Sequence, residues 1–343
     1  MATTMKDVAR RAGVDVSTVS LAINNDPRIR RETRERILVI AQELGYRKNH
    51  LARGLRSGKS FTIGAVVGHA SAFWGEVLAG AQTALAEQDY HLMLDYAADE
   101  ARREETQIEA LKAKRVDGFL IAPSDTDSLT PRPETAEVYH TLREEHIPFV
   151  FVDRFVPGME ADIVAADNIA AARTATEQLL AQGHTRIAYL YAPHRMNTAQ
   201  RERLDGYQAA MREAGHKALP WEAVHPRPEK SEEGMDAMRE LLHSPQGRDV
   251  TAVLVATDTT AMGALRALHD AGRNIPRDMA VISFGGTFTA DYLHPPLTTM
   301  TLPMRALGAQ AAELLLARIA GDASPYRHVV LPTELVMRAS SGS

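Results

Sequence analysis

"MKDVARRAGVDVSTVSLAINN" (residues 5–25) decides how the start of this chain folds. Val8, Ala9 and Ala12 share one face at helical spacing, and Gly13 supplies a stop. Thr4 stands where a cap belongs, with Asp7 three residues on, near the positive helix end. Asp15 is the next cap, and Val16, Val19 and Ile23 recur at helical spacing behind it. Two short helices across a glycine turn predict a helix-turn-helix. A third stretch, "ETRERILVIAQELGY" (32–46), sets Ile37, Ile40, Ala41 and Leu44 on one side and stops at Gly45. Three apolar stripes of this kind close a core of about 50 residues, small but sufficient.

The second helix carries hydroxyls and amides where a plain solvent-facing helix would carry charge. Such a face suits the DNA major groove, entered with N-terminal residues at base edges. Val16, Ser17 and Leu21 are placed to face bases, and Thr18, Ser20 and Asn24 to hold phosphates; Thr4 is a further DNA contact. A small helical adaptor with an incidental polar face is the plainer alternative. Charge favours DNA. Residues 1–60 hold 13 Lys and Arg against 6 Asp and Glu, a net of +7, while the rest holds 26 against 38, a net of −12. A basic head on an acidic body is the asymmetry expected when one end meets a polyanion.

"RKNHLARGLRSGKS" (47–60) puts Leu51, Ala52 and Leu55 at helical spacing around Gly54 and Gly58. A segment so weakened folds on binding, with an apolar residue to wedge between base steps, or else serves as a flexible linker. Its "GLRSGKS" is no phosphate loop. Three residues separate Gly54 from Gly58 where that motif needs four, and it precedes a strand.

From Phe61 onward, short apolar runs alternate with amphipathic helices: "TIGAVVG" (62–68), "HLMLDYA" (91–97), "VDGFLIAP" (116–123), "IPFVFVD" (147–153), "RIAYLYA" (186–192), "TAVLVAT" (251–257) and "MAVISFG" (279–285). That alternation predicts parallel sheets covered on both faces, in two α/β lobes with a changeover near "ADIVAADN" (161–168). Ligands in such sheets sit at the carboxyl ends of strands. Those ends are His69–Trp74, Ser124–Asp125, Asp153–Arg154, Thr257–Asp258 and Gly285–Gly286, and two lobes presenting them make a cleft. Phe73 and Trp74 either cover an apolar sugar face or pack in the lobe core. Asp258 suits a helix cap before "TTAMGALRAL" better than a ligand contact, and Asp153 equally suits a cap or hinge position.

Apolar residues make up 45% of the 343 and charged residues 24%, usual for a globular protein. Cysteine is absent, which excludes disulfides and thiolate metal sites. No signal-peptide pattern opens the chain and no run nears the ~20 apolar residues of a membrane span, so a cytoplasmic protein is expected, without a membrane partner. No GxGxxG follows the first strand, and neither GxSxG nor HExxH occurs. Neither an enzyme nor a cofactor is expected.

Taken in order, "MKDVARRAGVDVSTVSLAINN", "RRETRERILVIAQELGYRKNHLARGLRSG", "VDGFLIAPS", "FVDR", "LLAQGHTRIAYL", "RLDGYQAAMREAG", "TDTTAMGALRALHDAGRNIPRDMAVISF", "PPLTTM" and "LPTELVMRAS" resemble the LacI/GalR family of bacterial transcription regulators over almost the whole chain. The resemblance implies an α/β fold: an N-terminal three-helix head over 1–47, a hinge helix over 48–60, and a two-lobed core over 61–343 like a periplasmic binding protein. The N-lobe would span 61–163 with a return near 290–320, and the C-lobe 164–289 with 321–343. Asn49, Ala52 and Leu55 would be hinge contacts to DNA, Leu55 in the intercalating position. Phe73, Trp74, Ser124, Asp153, Arg203, Thr257, Asp258 and Gly285 would bind a carbohydrate-like effector. The implied protein is a repressor that binds a pseudo-palindromic operator as a homodimer. The closing "MRASSGS" carries no heptad pattern, so a dimer and no larger assembly is expected. A solute-binding protein, or an enzyme on the same fold without DNA binding, is the competing reading.

Three departures concern the operator. Leu21 stands where many members carry a polar base reader, Lys48 replaces a proline before Asn49, and Arg30 takes the serine cap before the third helix. A fourth concerns the effector: in "SFGGT", Gly285 and Gly286 stand where sugar-binding members carry an aspartate, and offer only backbone groups.

Overall fold

A computed structural model describes residues 3–23, 25–46, 58–124, 133–223 and 230–342. The chain divides into two units, Met1–Ser60 and Phe61–Ser343.

In the first unit, α1 (Met5–Ala12), α2 (Val16–Ile23) and α3 (Arg31–Glu43) enclose Val8, Ala9, Ala12, Val19, Ala22, Ile37 and Ala41. At the start of α1 the Asp7 carboxylate accepts from the Thr4 hydroxyl at 2.6 Å and from its backbone N–H at 3.0 Å. These bonds hold Asp7 below the usual carboxylate range. Gly13 turns the chain with φ 67°, the left-handed region glycine enters without steric cost. The stripe expected on α2 is shifted. Val19 and Ala22 are buried, Ile23 is half-buried, and Val16 is exposed, because Ala22 packs beside Val19 in its place. Arg30 makes no side-chain cap bond to α3.

The second unit holds two six-stranded sheets. In chain order its elements are β1 (Thr62–Val67), α4 (Ala72–Ala86), β2 (His91–Tyr96), α5 (Ala101–Ala113), β3 (Phe119–Ile121), α6 (Pro133–Glu144), β4 (Phe149–Val152) and β5 (Asp162–Ala166). Then follow α7 (Asn168–Ala181), β6 (Ile187–Tyr191), α8 (Thr198–Glu213), β7 (Leu219–Glu222), α9 (Lys230–His243), β8 (Ala252–Val255), α10 (Asp258–Asp270) and β9 (Ala280–Gly285). Last come β10 (Thr298–Thr301), α11 (Met304–Ile319), β11 (His328–Leu331) and β12 (Glu334–Val336).

The N-lobe sheet runs β11-β5-β4-β3-β1-β2 and the C-lobe sheet β12-β10-β9-β8-β6-β7. Among the described residues the strand pairings are parallel except β12 with β10. Alternating side chains explain the continuous apolar runs. Ile63, Val150 and Val164 meet Val77 and Leu307 on one face of the N-lobe sheet, while Phe119, Phe151 and Ile163 meet Ile108 and Tyr139 on the other. The C-lobe repeats this, Val253 and Val281 against Met238, and Leu254 and Ile282 against Tyr207. Each such side chain contributes about 1.5–3 kcal/mol on burial.

The lobe boundaries differ from the sequence expectation. β10 pairs with β9, so residues 298–301 belong to the C-lobe and the return to the N-lobe begins with α11. β11 pairs with β5, so 328–331 lies in the N-lobe, not the C-lobe. Backbone pairing decides both, and β11 alternates exposed with half-buried residues as an edge strand does. An ion pair fastens the returning segment: Arg318 donates to the fully buried Asp162 at 2.6 and 3.0 Å.

Candidate effector cleft and DNA-facing helix

Between the two lobes, at the carboxyl ends of β1, β4, β8 and β9, lies a cleft of about 740 Å³. Its N-lobe wall starts at the β1 end, where Ser71 accepts from the Trp74 N–H at 3.3 Å and opens α4. Phe73 and Trp74 both line the cleft, edge to face at 5.0 Å. Trp74 is buried in the N-lobe core, and Phe73 packs against it half-buried. The packing and the lining roles hold together.

At the β4 end, Asp153 sits at φ 70°, a strained position for a residue with a β-carbon. Its buried Oδ1 has no hydrogen-bond partner. Burial pushes its carboxyl above the usual range, against the pull of Arg203, Arg154 and Lys230. Next to it, Arg154 donates to Asp99 at 2.6 Å, and Asp99 also meets His69 at 3.0 Å. Despite its burial, Asp99 is held well below the usual carboxylate range by those two partners.

The C-lobe wall is built on α8, α10 and the turn after β9. Arg203, buried, donates through Nε to Asn168 Oδ1 at 2.8 Å and through Nη1 to the Ala256 carbonyl at 3.0 Å. Its guanidinium lies 5.3 Å from the centre of the Phe284 ring. Thr257 is the cap of α10, accepting from the Thr260 N–H at 3.1 Å. That corrects the cap role considered for Asp258, which is the first helical residue and turns its carboxylate toward the sheet. Oδ1 accepts from Ser283 at 2.6 Å and Thr299 at 2.8 Å. Oδ2 accepts from the Thr287 N–H at 2.8 Å and its hydroxyl at 2.9 Å. Four donors fill the carboxylate's lone pairs. Asp258 therefore shapes the wall and has no acceptor capacity left for a ligand.

Phe73, Trp74, Asp153, Arg203, Thr257, Asp258 and Gly285 are thus brought to one cleft. Ser124 is not among its lining residues; its N–H donates to the buried Glu104 at 2.6 Å instead. Sequence reasoning missed Asp99, Asn197, Gln200, Lys230 and the Thr287–Thr289 turn, all of which line it. Gln200 precedes Arg203 by three residues and so shares its helix face, a signal that was available. Asn197 caps α8, accepting from the Gln200 N–H at 3.0 Å. For Lys230, in a charged helix start, no such signal exists.

In the head, Ser17 is exposed, and Ser20 and Leu21 are half-buried. These three lie on the side of α2 away from Val19 and Ala22, with Val16 and Thr18 on the flanks. Thr4 is exposed and its hydroxyl is engaged by Asp7. Asn24, Asn49, Ala52 and Leu55 lie outside the described residues. Among those described, no helix is long and apolar enough to cross a membrane.

Residues 4–49 match the family model described as bacterial regulatory proteins, lacI family, and residues 176–341 match a periplasmic binding protein-like domain. The ribose operon repressor of Escherichia coli (strain K12) is 33% identical over 339 residues, covering 98% of this chain and 99% of that protein. The chain belongs to the LacI family. This LacI-family chain is also 33% identical to the HTH-type transcriptional regulator CelR of Thermobifida fusca, over 98% of each. A solved CelR–cellobiose complex is 30% identical, covers 99% of this chain and 100% of that one, and superposes with a TM-score of 0.71. The lac repressor dimer bound to operator and the anti-inducer ONPF gives 0.80 at 25% identity, with full coverage of both. The chain is a DNA-binding transcription regulator with a periplasmic-binding-protein-like core, and its relatives are repressors and regulators, not enzymes.

Proposed function

We propose that the protein is a cytoplasmic, sequence-specific repressor that binds a pseudo-palindromic operator as a homodimer and is switched by a small sugar-type effector in the interlobe cleft. The observation that carries the reading is whole-length similarity to sugar-linked regulators, joined to a cleft whose wall keeps buried polar atoms without partners. Relatives named for ribose and cellobiose support the sugar class, and a relative solved as a dimer on its operator supports the assembly.

On this reading Val16, Ser17 and Leu21 face bases in the major groove, with Thr4, Thr18, Ser20 and Asn24 on phosphates. Asn49, Ala52 and Leu55, in the hinge over 48–60, extend the contact into the minor groove. Asp153 and Arg203 grip the effector from opposite lobes, and Phe73 lies against an apolar sugar face. A sugar that binds one lobe arrangement better shifts the population of DNA-competent protein. Moving that equilibrium from about 99:1 to 1:99 takes a preference of about 10⁴-fold between the two states.

Selection of bound sequences from a random DNA pool tests this, using the purified full chain with and without a sugar panel. Enrichment of a two-fold symmetric motif, altered in yield by one sugar, is the expected result. A folded protein that enriches no motif under any condition overturns the regulator reading.

A further inference from the structure

The charges lining the cleft are unevenly matched. Of its three carboxylates, Asp258 is saturated by four donors, and Asp99 is held by Arg154 and His69. Asp153 keeps a buried acceptor with no partner, its Oδ1. Opposite stands Arg203, 5% exposed, whose bonds run to a neutral amide and a neutral carbonyl. Among the described residues no carboxylate oxygen lies within ion-pair distance of it. A buried guanidinium without a counter-anion is costly, and an arriving anion removes that cost. Asp153 makes no ion pair with Arg203, and its Oδ1 is left without a partner. Lys230 lines the same C-lobe wall and acts on Asp153 with the same sign as Arg203. Gln200 adds an acceptor, a buried Oε1 without a partner in a side chain 8% exposed. The wall therefore offers the Arg203 guanidinium at one place and acceptors for hydroxyl protons at another.

We propose that the effector is an anionic sugar derivative, its anionic group against Arg203 and Lys230 and its hydroxyls donating to Asp153 and Gln200. This rests on the cleft being the effector site. The negative group is a carboxylate or a phosphate monoester; both accept from guanidinium and ammonium groups, and Arg203 has geometry for either.

Isothermal titration of the full chain decides it, with D-ribose, D-glucose, D-gluconate, D-glucuronate, ribose 5-phosphate and glucose 6-phosphate as probes. At least one acid or phosphate is expected to bind about tenfold or more tighter than its neutral parent, as a charge-assisted hydrogen bond implies. Carboxylate and phosphate arms identify the source of the charge. Lys230→Met should shrink the preference for the charged probe over its neutral parent, and Lys230→Arg should keep it. Neutral sugars binding as tightly as their acids would overturn the charge inference and leave the sugar-effector reading standing. An undiminished preference in Lys230→Met overturns the assignment to that wall. Failure of every probe to bind overturns both the inference and the reading beneath it.

Discussion

A β-carbon on Gly285 would lie 2.6 Å from Oδ2 of Asp258. At Gly285 φ is 150°, which a side chain rarely adopts. The two residues require each other. The carboxylate draws the turn after β9 over itself through Thr287, and only a residue without a β-carbon lets that turn pass. An aspartate at 285 is incompatible with this packing, so the wall has no carboxylate to offer there. Gly285→Ala is expected to destabilise the core by about 1–3 kcal/mol, the usual cost of a strained backbone position. Urea unfolding measures it, and an unchanged midpoint would show that the turn relaxes freely.

Arg203 ties the cleft to the C-lobe through Asn168 and Ala256. Arg203→Ala should abolish the effector's change in operator binding, while the operator is still bound in the absence of effector. Arg203→Lys should not restore the response, because an ammonium cannot span both acceptors as a planar fork does. Operator titrations with and without effector read the outcome; a normal response in the alanine variant removes Arg203 from the switch.

Glu104 is buried, accepting from the Ser124 N–H and the Tyr139 hydroxyl. Burial pushes its carboxyl above the usual value, as it does for Asp153. A carboxyl whose folded pKa is raised contributes stability fully present below its unfolded pKa and lost as pH rises through the folded value. Core stability should therefore decline from about pH 4.5 upward, the unfolded reference for Glu being about 4.3. Glu104→Gln should flatten that slope, since the amide can accept from Ser124 and donate to Tyr139. Thermal melts across pH test this, and identical slopes in both proteins would count against it.

Leu55→Ala should weaken binding to the selected operator far more than binding to random DNA. A wedge between base steps contributes only where the sequence kinks easily, whereas phosphate contacts act on any duplex. Paired titrations at one salt concentration give the two losses. Equal losses remove the wedge role.

Much of the fold was legible because its signals are local. The seven runs read as strands contain β1, β2, β3, β4, β6, β8 and β9, each a short run between helices and mostly buried except the edge strand β2. β5 passed as a connector, and β7, β10, β11 and β12 were missed. β7 alternates half-buried with exposed residues, and β11 and β12 are edge strands only partly buried, so none shows the continuous apolar run that marked the others. Thr298–Thr301 is buried yet rich in hydroxyls, which its neighbours satisfy. For the cleft, strand ends identified Asp153, Thr257, Asp258 and Gly285, while Asp99 and Lys230 reach it from segments with no strand-end signature.

The sequence by itself determined the helical head, the alternating α/β core, the charge asymmetry between them and the family. Periodicity, caps and composition act over a few residues and survive without knowledge of the partner segment. Only the tertiary structure decided which lobe each late strand joins and which carboxylate in the cleft keeps an open acceptor. Both depend on distant segments: β11 finds β5 across more than 150 residues, and Asp258 is quenched by hydroxyls from Ser283, Thr287 and Thr299. Hydrogen-bond saturation is a property of the assembled neighbourhood, not of any residue's own stretch of chain.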